Sequence, residues 1–122
     1  MAVFWKATLL LTVGSVWLVL SALANVPRVS FVNAPLFVPE QEIVTFYVRV
    51  PRHEDNRLLT VAAIAHDGIV SEMRRDLDGV RSQALWDVRW RLPAGELDLV
   101  ATLFNAQQQV GRDVHRVTVY SQ

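Results

Sequence analysis

Apolar and polar side chains alternate along most of this chain after its first 24 residues, and this alternation limits the fold more than any other feature. Residues 43–50 read IVTFYVRV and residues 85–92 read LWDVRWRL, so their apolar side chains collect on one face. Residues 97–104 and 114–120 alternate similarly, whereas residues 58–65 (LLTVAAIA) are apolar on both faces, as in a central strand. A period of two is the signature of a β-strand, so the pattern predicts an all-β domain.

Turn-forming segments separate the predicted strands. Residues 67–68 and 78–79 are Asp-Gly pairs, which supply the positive φ that tight hairpin turns need. Residues 93–95 (PAG) are predicted as a turn between two strands. Another hairpin tip is predicted where Val110 and Gly111 follow the polar run of residues 106–109. Residues 29–38 hold strand formers interrupted by a proline, which confines them to an edge or to a switch between sheets. The spacing of these turns predicts an antiparallel sandwich of about seven strands.

The second half of the chain carries a recognisable strand–turn–strand pattern. Residues 86–103 read W-x-V-x-W-x-L-P-x-G-x-L-x-L-x-A-x-L, which is an alternating strand, a proline–glycine turn and a second alternating strand. This pattern resembles the late strands of bacterial immunoglobulin-like and fibronectin type III-like domains. The resemblance implies an immunoglobulin-like antiparallel β-sandwich and a role in molecular interaction, and it assigns no functional residue. The chain differs from antibody-type domains in having no cysteine pair.

The first 24 residues differ in kind from the rest. Lys6 is the only charged residue before Arg28, and residues 7–20 form an uncharged, largely apolar run. Small residues follow, with Ala22 and Ala24 in the A-x-A spacing that signal peptidase recognises. We therefore predict a secretory signal peptide that is cleaved after Ala24. The alternative is an uncleaved anchor, because a helix of about 20 apolar residues spans a bilayer.

Both alternatives divide the chain into an N-terminal segment of residues 1–24 and one β-domain of residues 25–122. The positive charge near the start marks the cytoplasmic end of the segment, so the β-domain is predicted to lie outside the cytoplasm. It would be a periplasmic or secreted domain after cleavage, or the outer domain of a single-pass membrane protein without cleavage. Membrane contact is expected only through residues 1–24, and only if they are retained.

The charge balance and the absence of cysteine exclude several classes of function. Twelve basic and twelve acidic residues cancel, which argues against a nucleic-acid binder with a net positive surface. Without cysteine the chain has no disulfide, no thiol nucleophile and no zinc–thiolate site. The packing of one modest core must therefore stabilise the domain.

No pattern in the sequence predicts catalysis, a metal site or a cofactor. His53, His66 and His115 are expected to lie apart, the first two at opposite ends of one strand. The serines lie in no nucleophile motif, and the glycines form no phosphate-binding loop. Trp86 and Trp90 share a face with other apolar residues, which favours a core position over a sugar-stacking surface. We therefore expect a protein that is not an enzyme and holds no cofactor.

The densest charge run, residues 72–78 (EMRRDLD), is predicted to form a strand at the edge of a sheet. Charged side chains protect such an edge against uncontrolled pairing with other chains. Arginine and methionine are also enriched at protein interfaces. Met73, Arg74 and Arg75 are therefore the candidate residues for contact with a partner.

These features together favour a non-catalytic, extracytoplasmic module that binds another protein of the cell envelope or cell surface. One alternative is a small accessory subunit that residues 1–24 anchor in a larger membrane or envelope complex. Another alternative is a carbohydrate- or metal-binding module, which would need exposed tryptophans or converging histidines.

Overall fold

The computed structural model describes residues 29–121, and the structural statements that follow concern this part of the chain. It is all β apart from one 3₁₀ turn at Gly79–Arg81. Its eight strands are β1 (Ser30–Val32), β2 (Phe37–Pro39), β3 (Ile43–Arg49), β4 (Leu58–Ala65), β5 (Gly68–Asp76), β6 (Leu85–Arg91), β7 (Gly95–Phe104) and β8 (Gln109–Tyr120). The all-β prediction is confirmed, and the strand count exceeds seven because β1 and β2 are two separate short strands.

The predicted signal or anchor segment, with Ala22 and Ala24, lies outside the described residues. Between residues 29 and 121 there is no helix of the length and hydropathy that a bilayer crossing requires.

The strands form two sheets. One sheet has three strands in the order β1-β3-β6, and the other has five in the order β2-β8-β7-β4-β5. Neighbouring strands are antiparallel, except that β2 runs parallel to β8. The chain changes sheet at every connection except the two hairpins β4–β5 and β7–β8. This arrangement confirms the predicted sandwich.

One buried cluster fills the space between the sheets. From the three-stranded sheet, Val44, Phe46 and Val48 of β3 and Val88 of β6 enter it. The five-stranded sheet contributes alternate residues of its inner strands, namely Leu59, Val61, Ala63, Leu97, Leu99, Ala101, Leu103, Val117 and Val119. Each of these strands therefore shows the period-two burial that its sequence predicts.

Aromatic rings pack at the centre of the three-stranded sheet. The ring of Phe46 is fully buried, and the rings of Phe31 and Trp90 both meet it edge-on with centroids 5.7 Å away. Edge-to-face contacts of this kind are favoured because the positive ring edge meets the negative ring face. Phe46 therefore joins β1, β3 and β6 through side-chain packing as well as through the sheet.

Pro35 marks the switch between sheets that the sequence predicts. β1 ends before it and pairs with β3, whereas β2 begins after it and pairs with β8 of the other sheet. Two inward side chains of β8 fix the crossing: the carboxylate of Asp113 accepts a hydrogen bond from the Phe31 amide at 3.0 Å, and Nε2 of His115 donates to the Pro35 carbonyl at 2.9 Å. These two bonds satisfy backbone groups that make no hydrogen bond to a neighbouring strand.

One predicted hairpin turn is absent, and another lies a few residues earlier than predicted. Gly79 has the expected positive φ of 55°, but it begins the 3₁₀ turn of a connection that crosses from β5 to β6, so no hairpin forms there. Gly111 lies within β8, and the hairpin tip is the loop of residues 105–108, where Asn105 Oδ1 accepts from the amides of Gln107 and Gln108. The asparagine side chain thus replaces the glycine as the turn-forming residue.

A buried asparagine joins two loops at one end of the sandwich. Asn56 is 2% exposed, and its Nδ2 donates to the Pro51 carbonyl at 2.9 Å. Its own carbonyl accepts from the Gly79 amide at 3.1 Å, which connects the β3–β4 loop to the β5–β6 connection. A Cβ added at Gly79 would lie 2.8 Å from the Glu54 carbonyl oxygen, so this close approach requires glycine.

Replacing Phe46 with alanine is expected to remove about 3–5 kcal/mol of unfolding free energy, because the ring is fully buried and the sheets cannot collapse onto the cavity. Thr45→Ala is the matched control, since Thr45 points to solvent from the same strand. Urea unfolding of both variants measures the difference, and equal stabilities would contradict the assignment of the core.

Replacing Asn56 with alanine is expected to cost about 1–3 kcal/mol, because the Pro51 carbonyl loses its buried donor. Gln107→Ala, in an exposed loop at the same end, should change stability by less than about 0.5 kcal/mol. Thermal unfolding of the two variants side by side checks both values. An Asn56→Ala protein that melts at the same temperature as the Gln107→Ala protein would show that the Asn56 side-chain hydrogen bond does not contribute to stability.

Candidate interaction surface

β5 is an edge strand of the five-stranded sheet, and this position defines the candidate surface. It spans nine residues and pairs with β4 on one side, and no strand of residues 29–121 lies on its other side. The predicted edge position of the charge run is therefore confirmed. Strand edges of this length present unpaired N–H and C=O groups to which another chain can add.

The three candidate contact residues all lie on β5. Met73 pairs with the buried Val61 and is half-buried against the core, whereas Arg74 and Arg75 are exposed. Arg75 pairs with the buried Leu59 and therefore lies on the inner face, but at the sheet edge it is left open to solvent. The structure brings the three side chains to one free edge, and their contact with a partner remains a prediction.

A bulge exposes apolar side chains at the start of the same strand. The register between β4 and β5 shifts after Ala63, and Val70 is the extra residue. Ile69 and Val70 are 59% and 39% exposed. A bulge of this kind bends an edge strand and interrupts its pairing. The part of β5 that offers a regular edge is therefore residues 71–76.

The outer face of the five-stranded sheet carries a continuous set of apolar residues next to this edge. Five outward residues form it, and we name them the outer apolar band: Ala62, Ile64, Ile69, Val100 and Val114. Val100 is only 9% exposed although it points away from the core, because its neighbours on β4 and β8 flank it. Sequence analysis missed this band, but the two-sided apolar pattern of residues 58–65 is the signal that marks it.

A charged cluster borders the outer apolar band. Arg116 Nε donates to Asp98 at 3.1 Å, and its Nη1 lies 3.9 Å from Glu96. The hydrogen bond and attraction from Asp98, together with the charge of Glu96, raise the pKa of Arg116 above its ordinary value. Because all three side chains are solvent-exposed, these pairs contribute little to stability and act mainly as a polar rim.

The histidines do not come together. His53 and His66 lie before and after β4, at opposite ends of the sandwich, and His115 lies on β8 under Pro35. Within the described ranges there is no group of three or more His, Asp or Glu residues placed to hold a metal ion.

The two tryptophans of β6 belong to the edge of the core. Both are half-buried against the buried cluster, and Trp90 contacts Phe46 edge-on. The Nε1 atom of Trp86 is buried without a hydrogen-bond partner in the part of the chain that the structure describes. This position agrees with the predicted core face.

Comparisons with known proteins identify a fold and no family. No protein-family model matches the chain, and no curated protein matches it. Among solved structures, the chain is similar to the sulfur carrier protein SoxY from Chlorobium limicola f thiosulfatophilum, with a TM-score of 0.57 and 17% sequence identity. The match covers 75% of this chain and 75% of that chain. At this identity the likeness shows a shared β-fold, and shared fold alone does not establish function.

Proposed function

We propose that this chain is a non-catalytic, extracytoplasmic binding module that docks another protein along the free edge of β5. The observation that carries the proposal is the edge itself. β5 is a nine-residue strand that pairs with β4 on one side and has no strand on its other side among the described residues, and it bears Met73, Arg74 and Arg75. Strand addition supplies affinity through main-chain hydrogen bonds, and the side chains select the partner. The adjacent outer apolar band extends the contact area beyond the backbone.

The domain type supports a binding role. Two sheets of three and five strands, joined by connections that mostly cross between them, are compatible with an immunoglobulin-like or fibronectin type III-like domain. The shared fold with SoxY agrees with this class. Such sandwiches work through their sheet faces, edges and loops, and we assign this chain to the same mode of action.

An extracytoplasmic location is supported by the sequence of residues 1–24. Lys6, the uncharged run after it and the A-x-A spacing of Ala22 and Ala24 match the three parts of a signal peptide. The alternative, an anchored accessory subunit, requires that residues 1–24 be retained.

Sulfur carriage does not transfer from the structural neighbour to this chain as a proposal. A carrier that holds sulfur covalently on a thiol needs a cysteine, and these 122 residues contain none. The proposed binding role instead depends on three features of this chain: an open strand edge, exposed charges and an apolar band.

A photo-reactive amino acid at position 75 is expected to cross-link the chain to its partner in the cells that produce it. The matched control is the same amino acid at Thr45, which is exposed on the outer face of the other sheet. Immunoblotting should show a discrete higher-mass adduct for position 75 only. An adduct for position 45 alone, or for neither position, would contradict docking at the β5 edge.

Intact-mass measurement of the naturally produced protein in each cell fraction is expected to find a chain that starts at Asn25, in the soluble fraction and not in the membrane fraction. That result follows from cleavage after Ala24. A membrane-bound species that retains residues 1–24 would instead establish the anchored-subunit alternative.

A further inference from the structure

The backbone of β5 offers its hydrogen-bonding groups at alternate residues only. The amide of Leu77, one residue after β5, donates to the carbonyl of Arg57, one residue before β4, at 2.8 Å. The backbone groups of Leu77 therefore point towards the chain of β4. Because an antiparallel ladder alternates, Ser71, Met73 and Arg75 direct their backbone groups at β4 as well. The backbone groups of Glu72 and Arg74 therefore point to the free edge.

The side chains of the same two residues carry opposite charges. Glu72 pairs with Ala62 and Arg74 pairs with Thr60, so both project from the outer face of the sheet, on either side of Met73. Two copies of β5 could pair antiparallel about a two-fold axis that passes between their Met73 residues. Glu72 of each copy would then lie opposite Arg74 of the other, which gives two equivalent pairs of opposite charge. The residues that would exchange main-chain hydrogen bonds in this arrangement are the ones whose N–H and C=O groups point to the free edge. The Arg74 carbonyl accepts from Nη1 of the exposed Arg75 side chain at 2.9 Å, and the amide of the second copy would replace this donor.

We propose that the β5 edge binds a second copy of this chain, antiparallel and centred on Met73, to form one continuous ten-stranded sheet. This inference rests on the proposed function, since it names the partner of the same edge. The two reciprocal Glu72–Arg74 pairs supply charge complementarity. The half-buried Met73 side chains meet across the axis, at a non-hydrogen-bonded pair where opposed side chains come closest.

Charge also fixes the register. A slip of the pairing by one residue, which would place Glu72 of one chain opposite Met73 of the other, exchanges the faces of the added chain, so that its outer residues would face inward. Moving the axis to Glu72 places two glutamates opposite each other and draws the Val70 bulge into the pairing. Moving it to Arg74 opposes two arginines and puts Glu72 opposite Asp76. Like charges directly opposite each other destabilise an antiparallel pair.

The other long free edge, β6, fits this role less well. Asp87 and Arg89 of β6 also alternate in charge, but the residue between them, Val88, is 2% exposed and already packed in the core. It leaves no side chain for a second copy to contact at the axis. β6 therefore supplies the comparison for the test.

Charge reversal measures the pairing directly. In sedimentation equilibrium of the naturally processed protein, we expect Glu72→Arg and Arg74→Glu each to weaken self-association at least tenfold, because like charges then face each other. Mixing the two variants should restore association as a heterodimer, because two arginines of one chain face two glutamates of the other. The doubly exchanged variant should associate as the parent does. Asp87→Arg on β6 is the matched control and should change nothing.

An introduced thiol tests the register, since the chain has no cysteine of its own. Met73→Cys should form a disulfide-linked dimer under mild oxidation, because the two Cα atoms would lie about 4.5 Å apart. Ser71→Cys on the same face should not, because its two copies would be about 14 Å apart along the strands.

Several outcomes would overturn the self-association. They are a parent protein that stays monomeric at all concentrations, a loss of association in Asp87→Arg instead of the β5 variants, or equal cross-linking at positions 71 and 73. A monomeric parent that still cross-links to a different protein from position 75 would leave the proposed docking edge standing and reject only the second copy as its partner. If position 75 cross-links to no protein, both the docking edge and the second copy as its partner are rejected.

Discussion

The packing of two sheets through every second side chain is the constraint on which the rest of this structure depends. With no cysteine in the chain, no disulfide can join the sheets, so the fold relies on the inward residues of β3, β4, β7 and β8. A sandwich built in this way does not close on itself, and its outer strands keep one free side. β5 and β6 are the two long strands in that position within the described residues. The free edge at which we propose that a partner docks is thus a direct consequence of the architecture.

The free edge of β5 combines two properties that usually oppose each other. Its charged side chains discourage pairing with unrelated strands, and the backbone groups of Glu72 and Arg74 that point to the edge permit pairing with a chain of complementary charge. The same charges that repel most strands therefore attract a strand of complementary charge. The outer apolar band next to the edge adds surface that a docked partner can cover.

Much of this arrangement can be predicted from the sequence, because strand alternation is a local property. The burial of β3 and β6 follows from period two, and the switch between sheets follows from Pro35. The edge position of β5 follows from its charge density. Long-range contacts have no such local signal. The Asp113–Phe31 bond joins residues 82 positions apart, and the Asn56–Gly79 bond lies in a connection that crosses between sheets where a hairpin was expected. The direction of backbone groups along β5, on which the proposed pairing depends, likewise requires the register with β4.

The central claim is that the β5 edge is the surface through which the molecule binds, and amide hydrogen exchange tests it most directly. In dilute protein the amides of Glu72 and Arg74 should exchange quickly, because they face solvent, while the amide of Met73 is protected by β4. On association the exchange of Glu72 and Arg74 should slow by more than tenfold, and the amides on the free side of β6 should not change. Slower amide exchange on β6 instead of β5, or on neither edge strand while the protein is associated, would contradict binding through the β5 edge.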